Sequence, residues 1–208
     1  MPNFSLTRLI SWLLMGAALS LLIFSGSNAA FDITSQGELA QAWDQSHHGA
    51  PAAVVAPTHT GSNELGGLLT IQRPRLAVGQ PLAKFSVPAA DGWKGIVLEG
   101  SDERVLAGGP GHVVGTAYPG EADNMVISNH NTYSMQFSKL KVGDQMIVDA
   151  DYGHFVYRVT GFKTVAATDR NVTGHTGKAM LTFTTCYPLW AGAFAKERYI
   201  ITAEQVTG

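Results

Sequence analysis

The stretch Leu181-Thr182-Phe183-Thr184-Thr185-Cys186-Tyr187-Pro188, near the end of this 208-residue chain, decides the fold. Its first five residues are apolar, aromatic or β-branched, which is typical of a strand. Pro188 lacks a backbone N–H and cannot continue a central ladder, so we expect the strand to end there. The pattern therefore places Cys186 at a strand end beside a loop, where ligand pockets of β-barrels form.

Runs of the same kind recur from about residue 81 onward, separated by Gly, Pro, Asn and Asp turn signals. Within this region, helix-like patterns are confined to two short segments, residues 102–107 and 133–140. The sequence therefore predicts a mainly β domain, a barrel or a sandwich, over residues 81–208. The predicted strands are residues 83–87, 95–98, 125–127, 145–149, 155–160, 179–185 and 198–203.

The N-terminus has the pattern that predicts an export signal. Residues 9–24 read LISWLLMGAALSLLIF without a charge, and Arg8 precedes them. Residues 1–30 give room for a transmembrane helix. We favour an uncleaved signal-anchor, and cleavage near Ser27-Asn28-Ala29-Ala30 is the alternative. Both interpretations place the remaining chain outside the cytoplasm, and the first predicts a single-pass protein of the cell membrane.

Residues 31–80 predict a linker or stalk, because their periodicity is weak and they contain several Gly and Pro residues. A short helix is expected around residues 38–43. The linker also holds His47, His48 and His59, which we interpret as solvated side chains, since no two of them stand at the i, i+4 spacing of a helical metal-binding pair.

Composition excludes several function classes. The net charge is −2 with a pI near 6.4, and no basic run indicates nucleic-acid binding. The chain has one cysteine, which rules out an intrachain disulfide and a zinc site built from several thiolates. A lone cysteine is most often a small buried apolar residue, so Cys186 needs partners before it is interpreted as a nucleophile.

Two residues are suitable partners. His130 follows the predicted strand 125–127 and opens a polar loop. Arg198 begins the last predicted strand, twelve residues after Cys186, and a hairpin would bring it back beside the thiol. A thiol, an imidazole and a guanidinium together suit acyl transfer by a nucleophilic sulfur. Each residue alone also fits an ordinary strand end or rim.

These residues resemble a known family, the sortases. Residues 182–186 (TFTTC), followed by Arg198, resemble the sortase strand Thr-Leu-x-Thr-Cys with its downstream Arg, and residues 127–132 (ISNHNT) resemble the histidine segment. The resemblance covers about residues 81–203, and Cys-Tyr-Pro after the strand is most similar to class E and related housekeeping sortases of actinobacteria. Phe183 stands where the family has Leu, Asn129 where it usually has Gly, and Asn131 where it often has Arg.

The resemblance implies an eight-stranded β-barrel and a cysteine transpeptidase of the thiol peptidase class. Cys186 would attack the Thr carbonyl of a Leu-Pro-x-Thr-Gly or Leu-Ala-x-Thr-Gly sorting motif on a surface protein. An amine, from a lipid II stem peptide or a pilin Lys, would resolve the thioacyl intermediate. His130 would move protons, Arg198 would hold the oxyanion, and Thr185 would assist substrate binding. No cofactor is implied, and no carboxylate cluster demands calcium.

Three other interpretations compete with the sortase resemblance. L,D-transpeptidases place an Arg two residues after their Cys, where this chain has Pro188. Papain-like and cell-wall cysteine hydrolases carry Cys before His, and the order here is reversed. A non-catalytic, membrane-displayed β-domain, a decayed sortase, stays open because Asn129 and Asn131 depart from the family pattern.

Overall fold

The computed structural model of the chain describes residues 6–47 and 75–206. A long helix, α1 (Leu6–Ser46), precedes a β domain that contains one further short helix, α2 (Glu103–Gly108). The eight strands are β1 (Pro81–Val87), β2 (Trp93–Glu99), β3 (Gly111–His112), β4 (Asn124–Asn129), β5 (Gln145–Ala150), β6 (Gly153–Ala166), β7 (Met180–Tyr187) and β8 (Glu197–Gln205).

The strands close into a barrel in the order β1-β2-β3-β4-β7-β8-β6-β5. The pairs β2·β3 and β4·β7 are parallel, and the other pairs are antiparallel. The eight-stranded barrel is therefore confirmed. The two-residue strand β3 had no sequence signal. β6 runs beyond the predicted 155–160 because it pairs with β8 as far as Ala166.

The short helices take different forms. The predicted segment 102–107 is α2, and its first turn is capped by Asp102, whose carboxylate accepts from the Arg104 and Val105 N–H groups at 3.0 and 3.1 Å. The predicted segment 133–140 takes the form of two 3₁₀ turns, Asn131–Tyr133 and Met135–Lys139. Segments this short are commonly closed by i→i+3 bonds.

The predicted boundary at residue 30 lies inside α1. The short helix expected at residues 38–43 lies in the last part of this longer helix. Gly37 does not end the helix. The next helix-breaking residues in the sequence, in Gly49-Ala50-Pro51, come after the last residue of α1. Residues 48–74 of the predicted linker, with His48 and His59, lie outside the described residues. Among the described residues no helix combines the length and hydropathy of a bilayer span, and the predicted transmembrane helix is not confirmed.

His47 is not the solvated linker residue that was predicted. Its ring stacks on Trp43 with centroids 4.0 Å apart, and Nε2 lies 2.6 Å from the Asp151 carboxylate. Burial alone would lower the pKa of His47, but the bonds to the Trp43 carbonyl and to Asp151 outweigh it and raise that pKa. The histidine therefore joins the end of α1 to the β5–β6 turn.

Aromatic side chains fill the barrel interior at the end where β4 and β7 finish. Phe183 stacks on Phe137 with centroids 4.3 Å apart and planes 11° apart. Phe85 and Trp93 contact this pair from β1 and β2. The departure from the family's Leu at position 183 is thus a core aromatic with its own stacking partner, and aromatic pairs add to the stabilisation that burial provides.

We expect Phe183→Leu to lower the free energy of unfolding by about 1–2 kcal/mol, because the smaller side chain loses the stack and leaves a void. Urea unfolding followed by circular dichroism measures the change. Phe194→Leu is the matched control, since that ring is 87% exposed. Equal stabilities of the two variants would contradict this account of the core.

A polar network fastens the β6–β7 connection to the start of β4. The Asp123 carboxylate lies 2.5 Å from His175 Nδ1 and accepts from the Thr176 N–H at 2.7 Å. The neighbouring Asn124 amide donates to the Val172 and Gly174 carbonyls. Burial alone would raise the pKa of Asp123, but the bonds from His175 and the backbone N–H groups lower it to about 2.

Because the pKa of Asp123 is lowered on folding, its contribution to stability is present above its ordinary value of 3.8 and is lost as pH falls through about 2. We expect Asp123→Asn to cost on the order of 1 kcal/mol at neutral pH and progressively less in acid. Thermal unfolding between pH 7 and pH 2 measures this, with Glu38→Gln, the change of an exposed carboxylate on α1, as a charge-matched control. A pH-independent cost would contradict the assignment.

Candidate active site

The pairing of β7 with β8 brings Arg198 to the thiol. Cys186 and Arg198 are directly opposite each other in this antiparallel ladder, so their side chains share one face. Arg198 Nη1 donates to Cys186 Sγ at 2.6 Å. Both residues are half-buried. A fixed cation in contact with the sulfur stabilises negative charge on it, which a nucleophilic thiol requires.

The pairing of β4 with β7 brings His130 to the same place. These strands are parallel, with Asn129 opposite Thr185, so the next residue of each, His130 and Cys186, emerges at the same barrel end. Neighbouring strands lie roughly 4.8 Å apart, which puts the imidazole within side-chain reach of the thiol. The structure thus brings the three predicted residues together.

The polar partner of His130 is a residue that the sequence did not single out. Its Nε2 atom lies 3.5 Å from Glu103 Oε1, at the first residue of α2. The imidazole is partly exposed, and its backbone carbonyl accepts from Ser134 Oγ at 2.8 Å. Glu103 belongs to no recognisable motif and lies far from His130 in the chain, so no local signal pointed to it.

The two asparagines that depart from the family pattern are both buried and both hold the histidine segment. Asn129 Oδ1 accepts from the His130 N–H at 3.0 Å. Asn131 Nδ2 donates to the Pro188 and Gly192 carbonyls, each at 3.3 Å. Asn131 therefore joins the loop after β4 to the loop after β7, so that the segments carrying His130 and Cys186 are linked beyond their strands.

Thr185 lies on the opposite face of β7 from Cys186, because successive strand residues alternate. It is 1% exposed, and its hydroxyl has no hydrogen-bond partner among the described residues. The Nδ2 atom of its ladder partner Asn129 is likewise buried and unpaired within that part of the chain. The predicted substrate-binding role of Thr185 stays a prediction.

The loop between β7 and β8, which the sequence indicated only as a connection, presents two aromatic side chains. Trp190 is 79% exposed and Phe194 is 87% exposed. Two aromatic residues in the short loop after a strand-end cysteine are the sequence signal that could have identified them. Large apolar groups on a surface commonly mark a contact site.

Four other described histidines are each paired with a carboxylate. Among them, His112 of β3 is fully buried, with Nδ1 2.9 Å from Glu99 Oε2 and Nε2 within 3.0 Å of the Ala117 carbonyl. Because both ring nitrogens are bonded within the core, these contacts indicate that His112 has a structural role. Within residues 6–47 and 75–206, no group of three His, Cys, Asp or Glu side chains is placed to hold a metal ion.

Comparison with known proteins agrees with this geometry. Residues 85–206 match the family described as the sortase domain. The chain belongs to the sortase family. Sortases are cysteine transpeptidases, and the closed eight-stranded barrel described above is their fold. The class of chemistry that a thiol, an imidazole and a guanidinium predicted is thus the chemistry of the family.

Sortases of several classes are similar to the chain. Sortase D of Bacillus subtilis (strain 168) is 35% identical over 113 residues, 53% of this chain and 57% of that protein, so the chain spans little more than half of this relative's length. The solved Clostridium perfringens sortase D5 transpeptidase is 27% identical with a TM-score of 0.58, covering 64% and 82% of the two chains.

Sortase E from Streptomyces avermitilis is 28% identical with a TM-score of 0.55, covering 64% of this chain and 91% of that one. Class D and class E structures therefore resemble the chain about equally. The predicted class E subtype is not confirmed by these likenesses.

Arg198→Ala should slow turnover of a sorting peptide by about 100-fold or more, because removing a donor to the developing oxyanion typically costs that much. Arg198→Lys should fall between, since it keeps the charge and loses the planar fork. Iodoacetamide alkylation of the single cysteine, followed by mass spectrometry, should slow in the same order. Arg158→Ala, an exposed arginine on β6, is the control. Unchanged alkylation in Arg198→Ala would contradict the role given to the Nη1–Sγ contact.

Proposed function

We propose that the protein is a membrane-anchored sortase that cleaves a Leu-Pro-x-Thr-Gly or Leu-Ala-x-Thr-Gly motif between Thr and Gly and joins the Thr carboxyl group to an amine. The observation that carries the proposal is the Arg198–Cys186 contact of 2.6 Å, with His130 at the end of the adjacent strand. Three strands converge to build it, which an incidental surface cysteine would not require.

The reaction follows from these three groups. Cys186 Sγ attacks the Thr carbonyl carbon and forms a C–S bond, and the carbonyl electrons move onto oxygen. When the tetrahedral intermediate collapses, the Thr–Gly C–N bond breaks and His130, as imidazolium, gives its proton to the departing nitrogen. A thioester then joins the Thr acyl group to Cys186.

The second half reverses the roles. The acceptor amine attacks the thioester carbon, neutral His130 takes the proton from the attacking nitrogen, and the C–S bond breaks to release the thiolate. The product is an amide between the Thr carboxyl group and the acceptor. His130 needs no cofactor for this, because it ends each half-reaction in the protonation state that the next one requires.

Arg198 stabilises both the Cys186 thiolate and the oxyanion. A guanidinium has five N–H donors, and one of its nitrogens contacts the sulfur in this structure. The remaining donors are available to the oxyanion, which develops two bonds away from the sulfur, on the oxygen of the attacked carbonyl group. A permanent cation suits this task because its charge does not change as the reaction proceeds.

The substrate and acceptor are proposed by class. Trp190 and Phe194, exposed on the loop after β7, offer apolar surface for the Leu of a sorting motif on a surface protein. The acceptor amine is that of a lipid II stem peptide or of a pilin Lys. The Cys-Tyr-Pro segment supports class E among the subtypes.

Membrane anchoring, with the barrel outside the cytoplasm, is supported by the N-terminal apolar run after Arg8. Several large apolar side chains of α1 are exposed in the described structure, and a lipid environment would cover them. They are Ile10, Trp12, Leu13, Leu14, Met15 and Leu19.

A second candidate is a non-catalytic β-domain of sortase fold. The observation that favours it is that the imidazole of His130 contacts Glu103 rather than the thiol. Catalytic hydrogen bonds are commonly made only once substrate is bound, so this contact is compatible with both candidates.

The test is to incubate the full chain with each of the two sorting peptides and to measure intact mass. We expect a thioacyl adduct on Cys186 that hydroxylamine releases as the hydroxamate, and no adduct on Cys186→Ala. The two peptides rank the motifs. Folded wild-type protein that neither cleaves nor retains either peptide would favour the non-catalytic domain.

A further inference from the structure

The barrel has a gap beside β2. Its neighbour β3 has only two residues and pairs with β2 at Leu98 and Glu99 alone. Among the described strands, none pairs with residues 93–97 on that side. Unpaired N–H and C=O groups on a strand edge must be satisfied in another way, because leaving them unbonded in a buried place is costly.

The side chain of Gln36 fills this gap from α1. Its Oε1 accepts from the Ile96 N–H at 2.8 Å, and its Nε2 donates to the Gly108 carbonyl at 2.5 Å and to the Ile96 carbonyl at 3.4 Å. In an antiparallel ladder the N–H and C=O of one residue point to the same side. The Gln36 amide therefore occupies the place that the backbone of a neighbouring strand would take.

Gly109 makes room for that amide. A Cβ at this position, where φ is +144°, would lie 2.0 Å from Gln36 Nε2. The slot is thus shaped for a side chain entering from α1, and substitution of the glycine would close it.

Further contacts hold the end of α1 in place. Trp43 is buried against Ile96, Leu98 and Val105. Asp44 pairs with Lys84 at 2.7 Å. These contacts reach β1, β2 and α2, so α1 is packed on the domain and is not only a tether for it.

The same amide reaches the active site through α2. Gln36 binds the carbonyl of Gly108, the last residue of α2, and the first residue of that helix is Glu103, whose carboxylate contacts His130 at 3.5 Å. On either side of His130, Asn129 and Tyr133 line a cavity of about 350 Å³ that Gln36 and α1 cover. Movement of α1 would therefore move the groups that flank the imidazole.

We propose that Gln36 is a positioning residue for His130: by bonding the open edge of β2 to the end of α2, it keeps Glu103 in contact with the imidazole. The inference rests on the proposed function, in which His130 moves the protons. It gives α1 a part in catalysis in addition to anchoring the chain.

Four variants of the full chain test this. Gln36→Ala removes the amide, Glu103→Gln removes the carboxylate that touches His130, and a double variant combines them. Gln41→Ala is the matched control, because Gln41 is an exposed glutamine five residues further along the same helix. Glu103 is also exposed, so its replacement leaves the fold intact even where Gln36→Ala loosens it.

We expect Glu103→Gln to lower kcat for a sorting peptide about two- to fivefold with KM changed less than twofold, as suits a partly exposed charge contact. Gln36→Ala should lower kcat at least as much, and the double variant should be no slower than the slower single variant, because both changes interrupt one chain of contacts. The ¹H–¹³C signal of the His130 ring should shift in all three and not in Gln41→Ala.

Additive losses in the double variant, a loss confined to KM, or a His130 ring signal in Gln36→Ala that matches wild type would overturn the inference. The ring signal is independent of turnover. If wild-type protein processes no sorting peptide, the proposed function fails, while the ring signal still decides whether Gln36 positions His130.

Discussion

The hydrogen-bonded register of β7 is the constraint on which the site depends. This strand lies between β4, to which it is parallel, and β8, to which it is antiparallel. One ladder sets Cys186 opposite Arg198, and the other sets it level with His130. A slip of one residue in either ladder would turn a whole set of side chains to the wrong face. The register is held because the opposite face of β7, including Leu181 and Phe183, is buried in the barrel core.

The departures from the family pattern are explained by packing. Phe183 completes an aromatic stack with Phe137, and Asn129 and Asn131 bond to the backbone of the segments that carry the site. These side chains shape the surroundings of the three candidate catalytic groups and leave the groups themselves in place. They are consistent with a sortase whose pocket differs in detail from its relatives, and they give no structural sign of a lost site.

The barrel is incomplete by itself beside β2, and α1 supplies what is missing. A strand as short as β3 cannot cover the edge of a seven-residue neighbour. An amide side chain has one donor group and one acceptor, as a peptide unit does, so a glutamine from a helix can satisfy such an edge. The end of α1 is thereby joined, through α2, to the surroundings of His130.

The sequence by itself determined the β class and the positions of seven of the eight strands, and it singled out Cys186, His130 and Arg198 as candidates, because alternation, turn residues and a short motif are all local properties of the chain. Tertiary structure alone decided the rest. The strand β3 is too short to have a periodicity, and α1 continues past residue 30 where its end packs on the barrel. Glu103 and Gln36 join the site through contacts between segments far apart in the chain. Such contacts leave no local pattern, since they depend on which surfaces the closed barrel brings together.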